Sequence, residues 1–142
     1  MAEQHTIQVD IVSAEGEIFS GPAKMVFAAA IEGDLGIAPR HAPLLTLLKA
    51  GEVRVQPAEG PEQSFFVGGG ALEVQPNKVT VLADTAVRAH DVDEAAAVAA
   101  KQRAEEAFRD RPGNITQAEA LAELARTVAL LKYAQKMRNP RG

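Results

Sequence analysis

Apolar and polar residues alternate with period two through much of the first half of the chain. Ile7, Val9 and Ile11 fall on one face of an extended segment, and Gln8 and Asp10 fall on the other. Val53 and Val55 alternate in the same way with Glu52, Arg54 and Gln56. Leu72-Glu73-Val74 and Val79-Thr80-Val81-Leu82 give two more short strands, with Pro76-Asn77 as the turn between them. Ala58-Glu59-Gly60-Pro61 joins another pair. Short strands at this spacing, divided by such turns, predict a sandwich or barrel.

Beyond Arg88 the period changes to that of a helix. Asp91 is the predicted N-cap, with Glu94 three residues on, and the helix runs to about Arg109. Arg111-Pro112-Gly113-Asn114 ends it, because proline cannot continue the ladder and glycine accepts a positive φ. Thr116 and Glu119 form a second capping box, opening a helix to about Met137. Leu121, Leu124, Val128 and Leu131 make a single stripe on it. Facing that stripe, the first helix offers Ala96, Ala99, Ala100, Ala104 and Ala107, with Val98 and Phe108 as its only large apolar groups. The short connection predicts an antiparallel hairpin.

Composition places the boundary. Up to Arg88 the chain carries 9 of its 11 glycines, 6 of its 8 prolines and 19 Val, Ile and Thr; after it come 2, 2 and 6. Alanine is denser in the second part, with 13 in the first 88 residues and 14 in the last 54. β-branched residues fit pleated strands, whereas alanine loses no side-chain entropy in a helix. The expected fold is therefore mainly β plus α: an N-terminal β-sandwich over residues 1–88, then a helical hairpin over residues 89–142.

Charge and residue inventory then exclude several functions. A net charge of −4 and a pI near 5.4 argue against a nucleic-acid binder held by a basic face. The absence of cysteine rules out disulfides, thiolate zinc sites and cysteine nucleophiles. No apolar run approaches the ~18 residues that a membrane span needs. Met1-Ala2-Glu3-Gln4-His5 has neither a basic start nor an apolar core, so the expected compartment is the cytosol.

Candidate chemistry is sparse. His5, His41 and His90 are far apart in sequence, and none stands at metal spacing with a second ligand. Gly68-Gly69-Gly70 runs into a strand rather than a helix, so it reads as a bulge or close backbone approach and not as a phosphate cradle. The stretch Glu32-Gly33-Asp34-Leu35-Gly36-Ile37-Ala38-Pro39-Arg40-His41 reads as a polar loop that touches a partner or solvent. From Arg126 onward there are five basic residues and no acidic one. Lys132, Lys136 and Arg138 suit a helix C-terminus, and with Arg126 they could also form a docking strip for an acidic partner. The residues alone thus point to an interaction protein rather than an enzyme.

Longer motifs carry a family resemblance. The run Gly68-Gly69-Gly70-Ala71-Leu72-Glu73-Val74-Gln75-Pro76-Asn77-Lys78-Val79-Thr80-Val81-Leu82-Ala83-Asp84-Thr85-Ala86 resembles the best-marked segment of the epsilon subunits of bacterial F-type ATP synthases. Gly33-Asp34-Leu35-Gly36-Ile37 followed by His41-Ala42-Pro43-Leu44-Leu45 is similar to the family's second segment. Val12-Ser13-Ala14-Glu15 and Phe19-Ser20-Gly21 also fit.

The resemblance implies a sandwich of about ten strands followed by two antiparallel helices, with no active site. It implies a rotor subunit at the foot of the central stalk that couples proton flow through the c-ring to ATP synthesis in the alpha/beta hexamer. The expected partners are gamma, the c-ring and the beta subunits, and the expected place is the cytoplasmic face of the bacterial plasma membrane. The hairpin is expected to fold down or to rise along gamma and inhibit ATP hydrolysis.

By the same resemblance, Glu32, Gly33, Asp34, Leu35, Gly36, Arg40 and His41 are the candidate contacts to the c-ring and gamma. Asp34 stands where the family usually has Glu, and Arg40 stands where glycine is usual. Arg126, Lys132, Lys136 and Arg138 are the candidates for docking on beta. Some relatives bind ATP in the hairpin; here Asp93 and Arg126 match that pattern, but Ala96 and Leu130 replace its other arginines. No cofactor or metal is therefore expected. A free-standing β-sandwich interaction module and a small enzyme using the His41 loop are the alternatives, and the organellar version of the subunit is a weaker one.

Overall fold

The computed structural model describes residues 5–110 and 117–138. The chain divides into two compact units between Ala89 and His90.

The first unit contains β1 (Ile7–Ser13), β2 (Gly16–Ala30), β3 (Gly33–Ile37), β4 (Leu44–Pro57), β5 (Gln63–Val67), β6 (Gly70–Gln75), β7 (Lys78–Ala83) and β8 (Ala86–Arg88). The strand order is β3-β2-β1-β7-β6-β4-β5-β8, and an additional β2–β4 pairing folds the sheet back on itself. Only β1 and β7 run parallel among these pairs.

Two long strands make this possible. The first half of β2 pairs with β1, and its second half pairs with β3 and β4. The first half of β4 pairs with β6, and its second half pairs with β5 and β2. Register shifts at Ala23/Met25 and Ala28/Ala30 bend β2 between the layers, as bulges do. The expectation of about ten strands is corrected to eight among the described residues: β2 and β4 each serve both layers without a break.

Inward positions of the two layers form one core that includes Ile7, Val9, Ile11, Val26, Ile37, Val53, Val55, Phe65, Leu72, Val74, Val79 and Val81. The alternation seen in the sequence selects these faces, because a side chain two residues on returns to the same side of the pleat.

The triple glycine marks a close approach between strands. A Cβ added at Gly70 would lie 2.0 Å from the Leu82 carbonyl oxygen, and Gly70 itself has φ +140°. The Asp84 amide donates to the Gly69 carbonyl at 2.9 Å.

A 3-10 turn (Ala89–Asp91) spans the boundary, and the second unit then holds α1 (Glu94–Asp110) and α2 (Gln117–Arg138), which pack on each other. Two expectations are corrected. The cap is Asp93, not Asp91: its Oδ1 accepts from the amides of Ala95 at 2.9 Å and Ala96 at 3.4 Å. Asp91 lies in the 3-10 turn and pairs with His90 instead.

Nor do the leucines form the most buried face of α2. Its buried residues are Ala120, Thr127, Tyr133 and Ala134, whereas Leu121 is 48% exposed. Ala97 and Ala104 on α1, and Ala120, Thr127 and Ala134 on α2, recur every seven residues, so the deepest helix positions hold small side chains together with one large one, Tyr133. Thr127 satisfies its buried hydroxyl by donating to the Leu124 carbonyl at 2.9 Å. Arg111-Pro112-Gly113-Asn114 and Thr116 fall outside the described residues. Among the described residues, no helix is long and apolar enough to cross a membrane.

Candidate functional site

The stretch from Glu32 to His41 is not one loop. β2 turns into β3 through Ile31-Glu32, and Gly33 follows with φ +132°, a conformation that suits glycine. Glu32 is exposed and accepts a hydrogen bond from Thr46 Oγ1 at 3.3 Å. Asp34 and Gly36 are exposed on β3, opposite Ala29 and Phe27, while Leu35 packs against the core. Arg40 and His41 come after β3. The stretch therefore presents two groups at opposite ends of a strand of roughly 17 Å, and Asp34 and His41 do not form a shared catalytic pair.

Arg40 has φ +68°. The His41 amide donates to the Ala38 carbonyl at 3.2 Å, so Ala38-Pro39-Arg40-His41 is a turn with proline second and a positive φ third, the signature of type II. The Arg40 amide also donates to the Pro76 carbonyl at 2.8 Å, which ties this turn to the β6–β7 turn. Arginine here pays a left-handed penalty of about 1–2 kcal/mol. Replacing it with glycine removes that strain but adds about 0.5–1 kcal/mol of unfolded-state entropy. Arg40→Gly is therefore expected to raise the melting temperature of the β unit by about 2–4 °C, and a fall in a thermal melt would contradict this account. His41 Nδ1 lies 2.7 Å from the Ala42 carbonyl, which can only accept, so Nδ1 donates to it.

A second surface was not singled out from the sequence. On the first half of β4 the usual pattern is inverted: the polar Thr46 is buried, while Leu45 and Leu47 are 73% and 58% exposed. Cross-strand register extends this apolar face from Leu47 to Ala71, from Ala71 to Leu82 and from Leu82 to Val12. Leu82 is 54% exposed. Ile31, 58% exposed, joins the row by donating its amide to the Leu47 carbonyl. The sequence signal was the run Leu44-Leu45-Thr46-Leu47-Leu48, which is apolar at both parities of a strand with only one core-facing side. A contiguous apolar patch of this kind marks a contact surface.

Beside it on the same face lies a polar cluster. Asp10 accepts from Gln8 Nε2 at 3.0 Å and from the Ser20 hydroxyl at 2.8 Å, and pairs with Lys78 at 3.1 Å. The hydrogen bonds from Gln8 and Ser20, then the Lys78 ammonium, hold its carboxyl below the usual range. Asp10 is thus charged at neutral pH and fixed in place.

The four basic residues of α2 do not form a single strip. Lys132 and Lys136 are four apart and share an exposed face. Arg126 pairs with Glu123 one turn earlier. Arg138 reaches across to Glu94 on α1, at 3.0 Å and 3.2 Å from its two carboxylate oxygens. The two residues matched to an ATP site are likewise engaged within the hairpin, Asp93 as the cap and Arg126 with Glu123.

A family model described as the beta-sandwich domain of the ATP synthase delta/epsilon chain matches residues 6–89, and one described as its long alpha-helix domain matches residues 90–135. The chain belongs to the ATP synthase delta/epsilon family. Its similarity to family members runs almost end to end. It is 62% identical over 137 residues to the ATP synthase epsilon chain of Nitrosococcus oceani, covering 96% of this chain and 98% of that one. It is 58% identical over 135 residues to the ATP synthase epsilon chain of Halorhodospira halophila, covering 94% and 95%.

Among solved structures, a chain of the Euglena gracilis mitochondrial ATP synthase OSCP/F1/c-ring assembly matches with a TM-score of 0.75 at 17% identity, covering 89% of this chain and 79% of that one. A chain of the Tetrahymena thermophila mitochondrial ATP synthase central stalk/c-ring matches with a TM-score of 0.62 at 17% identity, covering 96% and 99%. At this identity both show that the fold is shared.

Proposed function

We propose that this chain is the epsilon subunit of a bacterial F-type ATP synthase, a non-catalytic rotor element of the central stalk. Its β unit links gamma to the c-ring and so helps to couple proton translocation to ATP synthesis. Its helical hairpin restrains ATP hydrolysis. In this reading the subunit is a peripheral component at the cytoplasmic face of the plasma membrane. Near full-length identity to bacterial epsilon chains supports this reading.

The observation that carries the coupling role is the inverted pattern on β4. Exposing Leu45, Leu47, Leu82 and Ile31 while burying Thr46 is unfavourable for a free subunit and favourable once a partner covers the patch. We assign this face to gamma. Glu32 and Asp34 at one end of β3, and Arg40 and His41 at the other, remain the candidate contacts to the c-ring and to gamma. Each leucine covered by a partner stabilises the complex by about 1.5–3 kcal/mol. Leu47→Glu is therefore expected to weaken co-purification with gamma at least tenfold while the β unit keeps its circular dichroism. Undiminished capture would remove the assignment.

Lys132 and Lys136 are the α2 residues best placed for an acidic segment of beta, since they share one exposed face. Tight ATP binding in the hairpin is not expected. Leu130 and Ala96 stand where the family's other arginines would be, and bidentate arginine contacts carry much of polyphosphate recognition. Calorimetric titration with ATP should show no micromolar binding; heat that saturates in that range would overturn this.

A further inference from the structure

We propose that Glu94 masks Arg138, holding in the closed hairpin the guanidinium that an acidic partner surface would otherwise engage. This rests on the reading of the hairpin as a brake that docks on acidic residues of beta.

Arg138 lies in the last turn of α2 and Glu94 in the first turn of α1, 44 residues apart in sequence. One guanidinium nitrogen contacts both carboxylate oxygens, at 3.0 Å and 3.2 Å. Each charge also suits its own helix, because an anion is favoured at an N-terminus and a cation at a C-terminus. An antiparallel hairpin brings these two ends together, so the pair is held in place by geometry as well as by attraction.

The two partners are not equally accessible. The Arg138 side chain is 70% exposed and that of Glu94 28%. The arginine is thus the half that a second carboxylate can approach and capture, while the glutamate stays behind on α1. Capture exchanges one ion pair for another, so Glu94 acts as a competitor built into the chain. Arg126 is held in a similar way by Glu123 within α2, but that pair moves with its helix and needs no hairpin opening to persist. The Glu94 pair alone of these two bridges the helices.

The test reconstitutes epsilon-depleted enzyme with full-length chain and titrates inhibition of ATP hydrolysis. Asp93, not Glu94, caps α1, so Glu94→Gln leaves the cap in place. Glu94→Gln is expected to lower the concentration for half-maximal inhibition by about two- to five-fold, the range for an exposed ion pair. The gain should shrink as ionic strength rises. In an Arg138→Gln background, Glu94→Gln is expected to change nothing further. Equal inhibition by wild type and Glu94→Gln overturns the proposal, and so does an effect of Glu94→Gln that persists without Arg138, which would place its action in α1 itself. Chain lacking the hairpin serves as the reference: if it inhibits as well as wild type, the brake reading itself is wrong, a result distinct from either of the others.

Discussion

Gly70→Ala is expected to destabilise the β unit by about 3–5 kcal/mol, through strain and overpacking acting together. The added Cβ would meet the Leu82 carbonyl oxygen at 2.0 Å and the Ala83 Cα at 3.0 Å. All of these are backbone atoms in the paired β6–β7 ladder, where Gly70 lies opposite Ala83, so no side chain can swing aside. The φ of +140° adds a conformation that alanine rarely adopts. For a unit of this size the melting temperature should fall by more than about 12 °C. Gly60 separates the two causes: it has φ +94° but nothing within 4 Å of its added Cβ, so Gly60→Ala should cost only about 1 kcal/mol. Comparable melts for the two variants would show that β6 can move off β7 freely, and the close-approach account would fail.

Ending the chain after Arg88 is expected to release ATP hydrolysis several-fold while assembly with gamma persists. The cut spares all eight strands, including the β5–β8 pairing of Phe65 with Arg88. It also keeps the hydrogen bond that the Arg88 guanidinium donates to the Ile18 carbonyl. The patch of Leu45, Leu47, Leu82 and Ile31 lies entirely in the retained part. What is lost is a pair of helices whose deepest positions are mostly alanine, each methyl contributing only ~0.8 kcal/mol when buried. Helices held so lightly can exchange their packing for a partner's surface, as a conformational brake requires. Hydrolysis unchanged by the cut, with assembly intact, would show that the hairpin does not restrain this enzyme.

Several local errors in the sequence reading share one cause. Asp91 and Asp93 both precede an acidic residue and an alanine-rich run, and only the backbone path decides which carboxylate reaches the free amides. The Leu121–Leu131 spacing is a good helical stripe, but alanine and Thr127 lie deeper, because close-packed helices favour small groups at their seam. Glu32 to His41 is polar and rich in glycine, yet its middle is strand, since an edge strand needs hydrogen bonds on one side only. Arg40 stands where the family usually has glycine, but only the backbone, with φ +68° at that residue, shows that the position is left-handed.

Period, punctuation and composition determined the two-part architecture, the strand faces and the hairpin, and the longer motifs carried the family resemblance, because each is written in residues close together along the chain. Tertiary structure alone decided that β2 and β4 serve both layers, that Leu47, Ala71, Leu82 and Val12 line up across four strands, and that Glu94 meets Arg138. These depend on register and crossing between segments far apart in sequence, and a one-residue slip in any pairing would send a different set of side chains to the surface.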